Sequence, residues 1–154
     1  VRVRASVLTS DPYTDRNVTM PDFSTCTRLA ARQAFEMAGA GPEELDLVEL
    51  HDCFATAELL HYENLGLCAE GEAGRLIDSG ETALGGRIPV NVSGGLLSKG
   101  HPPGATGVAN LYEVTAQLRG EARARQVPGA RLGLTHVVGL GASCAIHVLE
   151  APAA

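Results

Sequence analysis

The first eight residues alternate, with Val1, Val3, Ala5 and Val7 set against Arg2, Arg4 and Ser6. This period of two predicts a half-buried strand. Asp11-Pro12 and Asn17 then open a polar loop. After Asp22 or Ser24, either of which is a capping residue, apolar positions recur at helical spacing. They place Leu29, Ala30, Ala34 and Met37 on one face and predict a helix to Ala38, closed by Gly39 to Pro42. Leu47-Val48-Glu49-Leu50 reads as a strand. His51-Asp52-Cys53-Phe54 follows, then a helix of about three turns carrying Leu59, Leu60, Tyr62 and Leu65 to a stop at Gly66. Residues 70–87 are rich in Gly and lack periodicity, which predicts loop with at most short strands. A further helix is expected over about 102–118. Residues 131–138 and 143–149 are β-branched, nearly continuously apolar and too short for helices, so they predict two central strands. The order β-α-β-α-(loop)-α-β-β predicts an α/β domain with a mixed sheet over residues 1–150, and 151–154 reads as a frayed tail.

A chain of 154 residues with 45% hydrophobic content is long enough for one domain with a real core. Its net charge of −6 argues against a nucleic-acid binder, which carries a basic face. A small anionic ligand stays open, because local arginines and helix N-termini hold phosphate on an acidic protein. No apolar run approaches the about 20 residues of a membrane span, and no signal-peptide pattern is present. Cys26, Cys53, Cys68 and Cys144 form no C-x-x-C pair, so a reduced, cytosolic setting is expected. The chain starts at Val1, already in strand-like alternation and without an initiator Met, which reads as a domain of a longer polypeptide.

Two segments share one design, a histidine delivered to the mouth of a helix. In Glu49-Leu50-His51-Asp52-Cys53-Phe54, Asp52 is a candidate N-cap that leaves Cys53 in the first turn. There the helix dipole and a neighbouring imidazolium favour the thiolate. Such a thiol exchanges protons near neutral pH; the bland alternative is a small buried hydrophobe beside a core histidine. In Ser98-Lys99-Gly100-His101-Pro102-Pro103-Gly104-Ala105-Thr106-Gly107, the glycines admit close backbone approach and the prolines stiffen the turn. His101 then stands on a rigid elbow, with a ring N–H able to donate to a developing oxyanion. Lys99 precedes the glycines, so this is not a phosphate-binding Walker loop. A third candidate is the turn Val138-Gly139-Leu140-Gly141-Ala142. His136 shares a face with Leu132 and Leu134 and reads as a buried structural histidine. His51, Cys53, His61 and Cys68 fit no standard zinc spacing.

Taken together, these segments resemble the thiolase superfamily in the right order. The resemblance is carried by Val48 through Phe54, by Asn91 through Gly107 and by Gly139-Leu140-Gly141, with Tyr62 through Cys68 and Gln117 through Gly120 between them. It covers residues 1–150, the C-terminal half of such enzymes. Its His-Asp-Cys-Phe motif is that of the sterol-carrier-protein type, where ordinary thiolases show Asn-Glu-Ala-Phe.

The resemblance implies the C-terminal half of the thiolase fold, with a mixed five-stranded sheet and helices on both faces. It implies that His101 activates a nucleophilic cysteine and binds the thioester oxyanion, that His51 completes the oxyanion hole, and that Cys53 is the acid/base thiol. Ser93, Gly94, Gly95 and Leu96 would approach the substrate, and Gly139, Leu140 and Gly141 would form the turn beside the thiols. Val137 stands where ordinary thiolases carry a catalytic Cys, which puts proton transfer on Cys53. The implied substrate is a 3-oxoacyl-coenzyme A cleaved by coenzyme A, with no other cofactor and no metal. The nucleophile would lie in an N-terminal half of the same polypeptide or complex, leaving this chain inactive alone, and the parent would be a homodimer or larger. Two rivals are a thiolase-like retro-aldolase of steroid side-chain thioesters and a non-catalytic acyl-coenzyme A or lipid-binding module.

Overall fold

A computed structural model describes residues 1–10, 23–139 and 143–152, the side chains of 23–25 excepted. The polar loop after Ser10, the capping roles of Asp22 and Ser24, and Leu140 and Gly141 of the glycine turn lie outside the described residues. The chain runs β1 (Arg2–Ser10), α1 (Phe23–Ala38), β2 (Leu47–Glu49), α2 (Ala55–Asn64), α3 (Ala73–Asp78), α4 (Gly95–Lys99), α5 (Thr106–Leu118), β3 (Leu132–Gly139) and β4 (Ser143–Glu150). It is an α/β fold around a four-stranded mixed sheet of order β1-β4-β3-β2. β4 pairs antiparallel with both β1 and β3, and β3 runs parallel to β2. The two apolar segments near the C-terminus are thus the central strands, as their patterning predicts.

The expected fifth strand is reduced to one bridge. Val48 pairs in parallel with Val90 through Val48 N–H to Pro89 C=O (3.0 Å) and Asn91 N–H to Val48 C=O (2.8 Å). The ladder goes no further because Pro89 has no N–H to donate and Asn91 turns away at φ 51°. Residues 70–87, expected as loop, contain α3, pinned by the buried Ala73 and Leu76. The helix expected from about residue 102 begins at Thr106.

One face of the sheet is sealed. Ala30, Ala34 and Ala38 of α1 pack with Val7, Ile146 and Val148, and α2 adds Tyr62 beside them. Alanines let α1 lie close to the strands, which turns Met37 outward (59% exposed) and leaves Leu29 half-buried, against the face expected for both. Val3 also departs from its expected buried position, because a register shift between Val3 and Ala5 breaks the alternation of β1. The opposite face carries α5 over β2 and β3, with a smaller cluster of Leu47, Val114, Leu118 and Leu149 beneath it. Ala151, expected in the tail, joins this cluster and donates its N–H to Arg131 C=O. Beyond α5, Ser6 and Leu8 of β1 are exposed on that face. The uncovered strip between helix and edge strand is where the cavity opens.

Candidate active site

His51 stands where β2 leaves the sheet. The last parallel pair is Glu49 with Thr135, after which side chains take over the backbone donors. Leu50 N–H donates to Asn91 Oδ1 (2.8 Å) and His51 N–H to His136 Nδ1 (3.4 Å). Buried N–H groups seldom go unpaired, so these two acceptors define the bend that aims His51 outward. Nδ1 of His51 is itself buried without a partner, so the ring meets the cavity by its other edge. An orphaned donor in the interior is disfavoured more than an orphaned lone pair, which favours the proton on Nε2, facing the cavity.

Asp52 does not cap the following helix. That helix starts after Phe54, which is in extended conformation (φ −141°, ψ 149°) and contributes no side-chain cap. The Asp52 carboxylate instead accepts Leu96 N–H (2.7 Å) and Leu97 N–H (3.4 Å), capping α4 from a different part of the chain. Gly95 makes this contact feasible, since a Cβ there would run into the carboxylate and its φ is +61°.

His101 is presented differently. It is exposed, on the segment between α4 and α5, and its Nδ1 lies 2.8 Å from Thr106 Oγ1. The Thr106 hydroxyl has one proton and donates it to Pro102 C=O (3.2 Å). His101 Nδ1 must then be the donor to Thr106, which leaves Nε2 as a free lone pair, the form a general base requires. The His51 and His101 rings meet edge to face with centroids 4.8 Å apart.

His51, Cys53 and His101 line one cavity of about 740 Å³ together with Phe54, Thr106, Val137 and Gly139. Its remaining wall is largely aliphatic, including Val108, Leu111, Val138 and Ala145, with Thr135 and His147 the polar members. Electrostatics refine the expected roles. Burial pushes the Cys53 thiol up, the Phe54 and Cys53 amides partly offset this, and the Asp52 charge adds to it. Burial thus outweighs the amides and favours the protonated thiol, contrary to the thiolate expected in a first helical turn; Cys53 also precedes the helix instead of lying in it. Burial, and to a lesser degree the neighbouring His101, lowers the His51 imidazole, so it is an N–H donor that stays neutral.

Of the other positions singled out in the sequence, Gly139 reaches the cavity, whereas Ser93, Gly94, Gly95 and Leu96 lie outside its lining. The Ser93 hydroxyl and amide donate to the fully buried Glu49 carboxylate (2.5 and 3.0 Å), and Lys99 Nζ reaches Ser93 Oγ (2.6 Å) and Glu49 (3.5 Å). Burial raises the Glu49 carboxyl and the Ser93 and Lys99 contacts partly offset it. This knot ties the segment before α4, and Lys99 at that helix's end, to β2. His136 is fully buried, as its place on the strand predicts. Thr106, Thr135, Ala145 and His147 also line the cavity and were not singled out as site residues in the sequence. Their signals were the hydroxyl five residues after His101 and the period-two alternation of Thr135, Val137 and Gly139 with Ala145 and His147.

A sheet face half covered by α5, with two histidines and a thiol at its open end, matches one class of protein. The chain belongs to the thiolase C-terminal domain-like family, whose model matches residues 12–151. Rat (Rattus norvegicus) sterol carrier protein 2 is 56% identical over 117 residues, 76% of this chain and 21% of that protein. The acetyl-CoA acetyltransferase of Methanothermobacter thermautotrophicus is 52% identical over 122 residues, 79% of this chain and 32% of that protein. The benzoylsuccinyl-CoA thiolase subunit BbsB of Thauera aromatica is 43% identical over 144 residues, 92% of this chain and 37% of that subunit. Among solved structures, an Ltp2-ChsH2(DUF35) aldolase superposes with a TM-score of 0.71 at 28% identity, over 82% of this chain and 32% of that one. The chain thus spans well under half the length of these relatives. Among the described residues, no helix is long and apolar enough to cross a membrane.

Proposed function

We propose that this chain is the acid/base and oxyanion-binding half of an acyl-coenzyme A acyltransferase of the thiolase kind, working on 3-oxoacyl thioesters. One observation carries the reading: His51, Cys53 and His101 converge on a single cavity, with the two rings in contact. Carbon–carbon cleavage next to a thioester needs a donor to the developing enolate oxygen and a proton for the α-carbon. A neutral His51 with its proton on Nε2 supplies the first, and the protonated Cys53 supplies the second. The Nε2 lone pair of His101 takes the proton from a nucleophilic thiol, and the resulting imidazolium joins His51 at the oxyanion.

In the thiolytic direction, the nucleophilic cysteine attacks the 3-oxo carbon and the bond between C2 and C3 breaks. The electron pair passes to the thioester enolate, and Cys53 protonates C2 to release acetyl-coenzyme A. The acyl group then leaves on an incoming coenzyme A thiol. That nucleophile belongs to an N-terminal half, whose seat is the uncovered strip beside α5, where Leu8, Val108 and Tyr112 are exposed. Coenzyme A acts as substrate, and the chain alone is inactive. Dimerisation of the parent enzyme and a cytoplasmic setting accompany this reading.

In the complete enzyme, Cys53→Ala is expected to lower kcat by roughly 10²- to 10⁴-fold, the usual reach of a positioned acid/base group. Undiminished turnover would remove Cys53 as the proton donor and count for a non-catalytic lipid or acyl-coenzyme A binding role of this chain. A second reading is favoured by the solved aldolase of the same fold: retro-aldol cleavage of a thioester. Product analysis separates the two, since thiolysis consumes coenzyme A and makes a second thioester, whereas retro-aldol cleavage releases a ketone or aldehyde and consumes none.

A further inference from the structure

Behind His51 lies a column of buried imidazoles that the proposed chemistry does not use. His136 of β3 is 0% exposed, and the His61 ring of α2 packs on it with centroids 4.3 Å apart. His136 Nδ1 accepts the His51 backbone N–H (3.4 Å), and its Nε2 faces Thr27 Oγ1 of α1 (3.5 Å). A backbone N–H can only donate, so His136 Nδ1 is a lone pair and its single proton sits on Nε2, toward Thr27. Asn110 of α5 completes the clamp by donating to the Glu49 and His136 carbonyls (3.4 and 3.5 Å). The ring therefore ties α1 to the point where β2 ends. An aliphatic residue would fill the same volume but leave the His51 N–H without a partner.

We propose that His136 is a positioning residue for His51: its Nδ1 holds the His51 main chain in the bend that aims His51 Nε2–H at the substrate oxygen. This rests on the enolate-binding role proposed for His51. Position governs the rate of such a donor far more than it governs binding, because the charge it meets develops only in the transition state.

The test uses the complete enzyme with a 3-oxoacyl-coenzyme A substrate. His136→Leu is expected to lower kcat by roughly 10- to 100-fold, the scale of an ångström misplacement, with KM within about threefold. His136→Asn, whose amide oxygen stands where Nδ1 stood, is expected to recover kcat to within about fivefold of the parent. Equal losses in both variants, or losses that follow only the folded fraction, overturn the proposal. Should the leucine variant fail to fold, Thr27→Val frees the far edge of the ring, and a kcat loss of about two- to fivefold at constant KM is expected; unchanged kcat overturns it. His51→Ala serves as the control. If it is crippled while His136→Leu is not, the positioning role falls and the enolate-binding role stands. If neither substitution matters, both fall.

Discussion

His51 and His101 meet at one cavity, yet the chain holds them by opposite means. His51 is 5% exposed, and its supports come from elsewhere in the fold: Asn91 and His136 take the backbone donors beside it, and Asp52 pins α4. His101 is exposed and supported within five residues, by Thr106 and the Pro102 carbonyl. One imidazole is mounted on the core and the other on a local elbow. Damage to the first mount should therefore register in stability as well as in rate, and damage to the second chiefly in rate.

The largest separation is expected from the histidines themselves. In the complete enzyme, His101→Ala should cost at least roughly 10²- to 10³-fold in kcat, the scale for one oxyanion-hole donor, while leaving the thermal midpoint unchanged. A comparable fall in stability would mean that the elbow is part of the core after all. Next in size is the response of the buried imidazoles to acid. Burial holds His61 down at about 4, and it holds His136 well below the ordinary histidine value. The unfolded chain binds these protons at higher pH than the folded one, so stability is full above about pH 6.5 and falls as pH drops toward 4. His61 accounts for about 3 kcal/mol of that loss. The raised carboxyls of Glu49 and Glu58 work in the opposite sense over the same range. Urea midpoints at pH 7 and pH 5 measure the balance, and His61→Leu should flatten the profile; an unflattened profile would remove His61 as its source.

Asp52→Ala comes third. Loss of a buried cap on Leu96 and Leu97 should destabilise by about 1–3 kcal/mol in denaturant titration. Asp52→Asn should recover most of this, because the amide oxygen still accepts from Leu96. The smallest effect is expected from Thr106→Val. It removes the acceptor for His101 Nδ1 and should lower kcat by roughly 10-fold at a stability cost of about 1 kcal/mol. If Thr106→Val costs stability as Asp52→Ala does, the two mounts are not mechanically distinct.

The legible parts of the molecule were those whose signal is local. Alternation marked β1, continuous β-branched apolar runs marked β3 and β4, helical spacing marked α1 and α2, and the Gly/Pro-rich segment ahead of it marked α5. His51, Cys53 and His101 stood out because each lies at a junction of strand, loop and helix inside a specific motif. The less legible parts depended on partners distant in the chain. The fifth strand shrank to one bridge through Pro89 and Asn91, and α1 turned alanines inward in place of Leu29 and Met37.

Residue order alone was enough for the α/β class, the central strand pair, the family and the three side chains that meet at the cavity, since periodicity and motif spacing are properties of neighbours. Packing had to assign the rest. Asp52 lies next to Cys53 in the chain but caps a helix 44 residues on, and Cys53 keeps its proton because burial outweighs the amides around it. His51 owes its aim to an imidazole 85 residues away. Hydrogen-bond partners and desolvation are set by what folds against a group, and a linear order of residues carries that information only indirectly.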